Sequence, residues 1–428
     1  MLLAQATGKE YHDRTKHSYL SVQIDPNYVD PASQPSPFKS YPKFYRRFPL
    51  ESDNTLHFFI HLTHAVTFRK IYKDGVYKLR VNPSAGALYP TEIYVQIRGV
   101  NGLIDGIYHL EVATDSLVLI YELIDDGLES YLLPNRLVKG FIFLVSCVYY
   151  RSSWKYKNRS LRYCFLDSGH HLGAIEASAY LHERDLEIIF DFDKVSLNRD
   201  LGFENKELVT AGAISGEIKD KSVRQLRYPI PFVCGTDYFE PNYFIEAGYK
   251  NTALITSTYR NLNHPQFKFD RERWQETILK RRSMRRFKKN PISQLDFFKI
   301  LEILKEPIPT KSYEDMEIYL IVNRVEGIEA GLYKYNELIR LGDFSDKAGY
   351  LCVNQAIARD SAVTLFFVSG YQNYQTALQI AGLIGQRLYL ISKYLELGCS
   401  GIGAYYDDET KEFLGTEKDI IYAMAIGR

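Results

Sequence analysis

The sequence predicts an α+β chain made of two tandem domains of common ancestry, packed on each other within one chain. Three observations carry that expectation. The chain has 428 residues, enough for two domains with cores of their own. Strand-like and helix-like segments alternate along it rather than separating into blocks. A stretch in the first half returns in the second: EIYVQIRGVNGLIDGIY (Glu92–Tyr108) falls without a gap on EIYLIVNRVEGIEAGLY (Glu317–Tyr333), with seven of 17 positions identical.

Each element of the repeat has a counterpart. LHFFIHL (Leu56–Leu62) and LDFFKIL (Leu295–Leu301) both place apolar residues at helical spacing. Glu92–Tyr108 and Glu317–Tyr333 each read as a strand, a turn, and a second strand opening on Gly-aliphatic-Tyr. An apolar strand follows in each copy, FIFLVSCVYY (Phe141–Tyr150) or AVTLFFVSGY (Ala362–Tyr371), then a long helix over His170–Leu181 or Thr376–Leu397. The copies close on similar strands, AGAISG and AMAIG. These limits divide the chain into a first domain over 1–227, a connector over 228–270 rich in proline, aromatic and polar residues, and a second domain over 271–428.

The copies differ in their loops. The first spends many more residues between Leu62 and Glu92 than the second between Leu301 and Glu317, and only the first contains NPSAGALYP (Asn82–Pro90). Small residues and a proline let backbone amides approach a flat or anionic ligand, although the same residues also make ordinary turns. Only the second copy has GCSGIGAYY (Gly398–Tyr406) after its long helix, where the first has RDLEIIF (Arg184–Phe190). That glycine-rich segment reads as a turn, with Gly398 also able to cap the helix. The second copy opens on RRSMRRF (Arg281–Phe287); its nearest parallel in the first is DRTKHS (Asp13–Ser18), with His17 where Arg285 stands.

Composition removes several classes of function. Lys and Arg total 53 against 52 Asp and Glu, so no global field draws nucleic acid or an anionic membrane. The five cysteines form no CxxC pair, which argues against a zinc site or a disulfide framework and fits a reducing cytosol. MLLAQATGKEYHD (Met1–Asp13) lacks the apolar core of a signal peptide, and the longest apolar run, Phe141–Tyr150, is about half a membrane span. No GxGxxG follows a strand, so a Rossmann nicotinamide site is not indicated. The expectation is a cytoplasmic protein with no metal, nucleic acid or membrane partner.

RRSxRxF near a domain start, a Pro-Ser-small loop before a strand, and a late glycine-rich segment ending in YYDD together resemble the FMN-dependent nitroreductase superfamily. PSAGALYPTEIYV, GIYHL and WKYKNRSLRY…LDSGHH (Trp154–His171) narrow the resemblance to its SagB-type branch. That branch oxidises thiazolines and oxazolines in ribosomally made peptides. In the family, FMN lies between two subunits: the Arg-rich segment and the glycine-rich turn come from one, the Pro-Ser loop from the other. Carried over, Arg281, Arg282, Ser283 and Arg285 resemble the phosphate and ribityl contacts, and guanidinium forks suit a phosphate. Ser400, Gly401, Ile402 and Gly403 resemble the turn against the flavin ring, and Pro83, Ser84, Ala85 and Gly86 the loop from the opposite subunit. Lys155 and Tyr156 match the branch's catalytic pair, where a base near a carbon-bound proton is needed. Arg159, Arg162 and Asp167 are expected to pair in their support, and His170 and His171 to line the site.

The resemblance implies an FMN-dependent dehydrogenase acting on azolines in a peptide or small molecule, with other peptide-modifying enzymes as partners. Two alternatives stand beside it: a reductase of nitro, quinone or enone compounds using NAD(P)H, and a flavin-free scaffold subunit. Because each copy lacks what the other keeps, one composite FMN site per chain is expected rather than two.

Overall fold

Residues 8–25, 29–72, 75–253, 259–312 and 314–428 are described by the structure, a computed structural model. Residues 1–7 of the N-terminal segment and 254–258 of the connector lie outside them. The first half forms a seven-stranded antiparallel sheet from β1 (Arg47–Pro49), β4 (Thr91–Arg98), β5 (Gly106–Glu111), β6 (Ser116–Glu122), β7 (Arg136–Cys147), β8 (Glu187–Ile189) and β9 (Leu208–Asp220), in the order β1-β6-β5-β4-β7-β9-β8. A separate hairpin joins β2 (Val66–Tyr72) to β3 (Gly75–Arg80). The second half forms a sheet from β10 (Met316–Val322), β11 (Gly331–Lys334), β12 (Glu337–Leu341), β13 (Val363–Ser369), β14 (Gly398–Ile402) and β15 (Asp419–Gly427), ordered β12-β11-β10-β13-β15-β14. With β1 set aside, the two orders are the same.

The duplication reaches individual residue pairs. Tyr94 faces His109 and Val95 faces Tyr108; at the equivalent positions Tyr319 faces Lys334 and Leu320 faces Tyr333. Each sheet carries a register shift at the same place, between Ile107 and Tyr108 and between Leu332 and Tyr333. A second matched shift lies between Val145 and Ser146 and between Phe367 and Val368. A one-residue slip would turn every side chain to the other face, so this agreement fixes the same face inward in both halves.

Ile93, Val95 and Ile97 of β4 and Ile318, Leu320 and Val322 of β10 enter one shared core. Tyr94, and Tyr319 with Ile321, face separate outer clusters. The shared core is built around two long helices, Ser160–Leu181 and Tyr374–Tyr394, so the layers run sheet, helix pair, sheet. The first of these starts ten residues earlier than the sequence predicts. It is buried on nearly all sides and therefore has no apolar stripe to mark its start. Glycines let the helices touch: a Cβ on Gly169 would fall 2.0 Å from the Gln379 carbonyl oxygen, and one on Gly382 2.1 Å from that of Leu166. Arg387 seals the contact with a bidentate pair to Glu176 at 2.7 and 2.6 Å.

The connector is more than a linker. Its helix Tyr243–Thr252 buries Ile245 and Tyr249 in the shared core, and Gln375 of the second half donates to the Tyr249 carbonyl. No helix of the described residues is long and apolar enough to cross a membrane.

Candidate active site

The Pro-Ser loop follows β3, and its shape is held from below. Arg151 is buried and donates to the Tyr89 carbonyl at 2.9 Å and to Glu92 at 2.5 Å. Ser84 Oγ donates to Asp167 Oδ2 at 2.5 Å and accepts from the Tyr89 amide at 2.9 Å, while the Ala85 amide approaches Asp167 Oδ1 at 3.4 Å. Gly86, Ala87 and Tyr89 all have positive φ (64°, 56° and 46°), a concentration of unfavourable backbone that surrounding contacts must over-determine. Gly86 is a glycine for a local reason: a Cβ there would lie 2.8 Å from the Tyr156 hydroxyl. The small residue is thus explained by a tyrosine of the same half.

The second half brings the Arg-rich segment and β14 to this loop. Arg281, buried, donates to the carbonyls of Val81 and Arg80 at 2.6 and 3.0 Å, and its guanidinium lies 5.1 Å from the Tyr389 ring centre. Its remaining Nη1 is buried with no hydrogen-bond partner among the described residues. Arg282 donates to Thr67 Oγ1 at 3.0 Å and to the Thr67 carbonyl at 2.5 Å. These two arginines tie the second half to the hairpin of the first. Ser283 Oγ meets Tyr389 OH at 3.0 Å, and the Gly401 amide donates to that hydroxyl at 2.7 Å. Arg285 is exposed and makes no ion pair among the described residues.

Ser400, Gly401 and Ile402 belong to β14, paired along β15, rather than to a turn; only Gly403 leaves the ladder. The helix before them ends at Tyr394, capped by Leu395 with Glu396 at positive φ, so Gly398 does not cap it. The glycines again answer to tyrosines: a Cβ on Gly401 would fall 2.0 Å from Tyr422 OH, and one on Gly403 2.1 Å from the Tyr163 ring.

Together these parts enclose a cavity of about 220 Å³ between the halves. Pro83, Ser84, Ala85 and Gly86 line it from the first half; Ser283, Arg285, Ser400, Gly401, Ile402 and Gly403 line it from the second. Arg281 and Arg282 are not in its wall but in a wider adjoining space of about 650 Å³, reached past Pro83, Ser84, Ser283 and Arg285. Among the described residues that mouth is lined by the cations Lys70, Arg281, Arg282 and Arg285 and by no carboxylate. A further space of about 400 Å³ meets the cavity at Tyr156, Tyr163 and Ala404, beneath the short helix Tyr19–Ile24.

Of the expected pair, Tyr156 lines the cavity and Lys155 does not; the Lys155 ammonium lies 5.7 Å from the Tyr156 ring centre. Burial, then Tyr163 and Asp167, push the Tyr156 hydroxyl up, so it stays protonated at neutral pH. The expected pairing of Arg159 and Arg162 with Asp167 is absent. Both arginines bind Asp407 of the second half, at 3.0 and 2.7 Å, because that carboxylate is the buried acid within their reach. Asp167 is left to the Pro-Ser loop, and burial raises it from 3.8 to about 7. His170 lines the cavity, meets Tyr422 OH at 2.8 Å and is pushed down by burial to about 3. His171 does not; it turns to Thr91 Oγ1 at 3.0 Å. Asp13–Ser18 does not mirror the Arg-rich segment. Ser283 bridges to Cys399 of β14, whereas the His17 amide donates to Asp407 at 2.8 Å. Tyr163, Tyr389 and Tyr422 are cavity residues the sequence reading missed, since tyrosines are scattered through this chain and nothing local distinguishes these three.

The mirror position is closed. There the second half's short connection lies directly on β8: the Ile188 amide donates to the Pro309 carbonyl at 2.7 Å and Ile188 bridges to Thr310.

Residues 278–428 match the model of the family described as "Nitroreductase family". The chain is 23% identical over 178 residues to the candidate nitroreductase MJ1384 of Methanocaldococcus jannaschii, covering 36% of this chain and 90% of that protein. The crystal structure of a candidate nitroreductase from Anabaena variabilis superposes with a TM-score of 0.81 at 26% identity, covering 99% of each chain. The two-domain α+β architecture is therefore one already seen whole in another protein. The C-terminal part of this chain thus matches a nitroreductase-family domain, within a fold that matches the Anabaena protein from end to end.

Proposed function

We propose that the protein holds one FMN in the cleft between its halves and uses it to dehydrogenate a thiazoline- or oxazoline-type ring carried by a peptide or peptide-like molecule. The observation that carries this reading is the composite cavity, with Tyr156 and the Pro-Ser loop on one side and Ser283, Arg285 and Gly401–Gly403 on the other. The residues fit the cofactor. An anionic phosphate suits a mouth lined by Arg281, Arg282 and Arg285, where Arg281 Nη1 is buried and has no hydrogen-bond partner among the described residues. The Ser283 hydroxyl, paired on one side with Tyr389, adds a polar contact further in.

Bound FMN would supply a hydride acceptor. Tyr156, kept protonated, donates a hydrogen bond to the substrate and orients it. Its position is fixed by the contact with Gly86 and by the Tyr163 ring at 4.5 Å. The substrate reaches it through the space beneath Tyr19–Ile24, a helix with no buried residue, held by the His17 amide on Asp407 and by Lys157–Asp25 at 2.8 Å.

Flavin released by denaturation, divided by protein concentration, gives a ratio near one. A ratio near zero would favour the scaffold, and a ratio near two would mean a second site. Anaerobic single-turnover mixing with a thiazoline-bearing peptide then bleaches the flavin, and Tyr156→Phe, which removes the orienting hydrogen bond, slows this about ten- to a hundredfold while keeping FMN. Rapid bleaching by NADPH with none by the thiazoline would assign the protein to reduction instead.

A further inference from the structure

In the cavity wall, Asp167 is 4% exposed and has no ion-pair partner among the described residues. Its two hydrogen bonds come from neutral donors, Ser84 Oγ and the Ala85 amide. The groups around it are as follows. Tyr156 from its own half is a phenol that burial keeps protonated, Tyr163 stands beside it in the lining, and Cys147 beneath it is a buried thiol held above its ordinary range. His170, one helical turn on, stays unprotonated at neutral pH, and Tyr422 faces it from the second half. Arg285 is the one cation of the cavity lining among the described residues, and it is exposed. Of the pair expected from the sequence to supply the base, Lys155 does not reach the cavity and Tyr156 keeps its proton.

A reaction that removes two electrons and a proton from a dihydro-ring needs a group that takes the proton. We propose that Asp167 is that acceptor: its carboxylate takes up one proton as two electrons enter the cavity, and gives it to water when the electrons leave. The inference rests on the FMN reading above. In the forward reaction the ring loses a hydride equivalent to the flavin and a proton to Asp167, so atoms and charge balance. The acid form then leaves the cavity wall neutral beside the added electrons. Burial supports the assignment, since it places the carboxyl near 7 and leaves both forms accessible at neutral pH. Asp167 also fixes Ser84, so its protonation state is read by the loop that faces the cofactor.

The test is the reduction potential of the bound flavin as a function of pH, measured by dithionite titration against a reference dye. Each proton taken up with a two-electron couple adds about 30 mV per pH unit to the slope. Wild type is expected to show one such increment of slope above pH 7 that disappears below it. Asp167→Asn keeps one acceptor oxygen for Ser84 and is expected to lack that break; its potential at pH 8 moves to more positive values. A wild-type plot with no break between pH 6 and 8 overturns the proposal and needs no variant to do so. A break that persists in Asp167→Asn does the same. If the protein holds no FMN, the functional reading fails first, and the flavin ratio reveals that separately. Asp167→Asn that folds and binds FMN but keeps the wild-type potential profile would make Asp167 only a support for the loop.

Discussion

β4 and β10 pair with their neighbours in the same register and share two matched shifts, yet the segments that lead into them have diverged completely. Before β4 the chain makes a hairpin and a strained Pro-Ser loop; before β10 it makes a short connection bonded to β8. The strands beyond the long helices differ in the opposite sense. β14 ends on the glycines of the cavity, while β8 is three residues long and covered. A strand buried on both faces cannot slip or change size without disturbing the core, whereas a loop at the sheet's end can. The difference teaches that one cleft was built by keeping complementary ends, and that the duplicate cleft was filled with backbone.

The largest effect is expected where the halves are tied by charge. Asp407 joins the N-terminus of the helix Asp407–Leu414 to Arg159 and Arg162 of the other half, all three buried. Asp407→Ala leaves two guanidinium groups buried and uncompensated, a loss of about 3–5 kcal/mol. Thermal unfolding should fall by roughly 3–6 °C. The same carboxylate gives stability a pH dependence. The arginines hold it well below the ordinary carboxylate range despite the opposing effect of burial. Its contribution is therefore complete above the unfolded value of 3.8 and is lost only as pH falls through the lower folded value. The variant should lack that acid-side loss. Unchanged melting in Asp407→Ala would mean that the helix crossing alone holds the halves together.

A smaller effect separates the Arg-rich segment from its presumed parallel. Arg285→Ala should weaken FMN binding about ten- to a hundredfold, the size of one charge-assisted contact of about 1.5–3 kcal/mol. His17→Ala should stay within about threefold of wild type. His17 is pushed down to about 4 by burial, then by Arg159, so it carries no charge at neutral pH with which to hold a phosphate. Fluorescence titration of apoprotein with FMN reads both variants. Equal losses would mean that the first half binds phosphate after all.

Much of this comparison was legible in the sequence because it depends on order along the chain. The gapless match of Glu92–Tyr108 to Glu317–Tyr333 already contained the strand pairing, and the unmatched loops already pointed to one composite cleft. What was not legible depends on contacts between distant residues. Arg159 and Arg162 look like partners for Asp167 at helical spacing, but their acid comes from Asp407, more than 240 residues away. Gly401 and Gly403 looked like a turn made for a ligand. Their missing side chains are accounted for by Tyr422 and Tyr163, which no local pattern announces.

The smallest effect concerns Lys155, where geometry and resemblance part. The helix Tyr150–Tyr156 stops at Lys157, whose φ of 49° breaks the run before the long helix starts at Ser160. That break directs Tyr156 to the cavity and leaves its neighbour Lys155 outside the lining, over the tyrosine ring. A cation in such a position contributes about 0.5–1 kcal/mol. Lys155→Ala should therefore retain FMN and lose less than tenfold in single-turnover rate, less than Tyr156→Phe. The measurement is the same anaerobic bleaching by a thiazoline-bearing peptide, with the flavin spectrum of each variant as the control for intact binding. A loss in Lys155→Ala as deep as that in Tyr156→Phe, with flavin still bound, would show that Lys155 enters the cavity when substrate arrives. It would also return the proton to the lysine and take it from Asp167, so the variant at the smallest expected effect decides which side chain of the first half takes the proton that the cleft must accept.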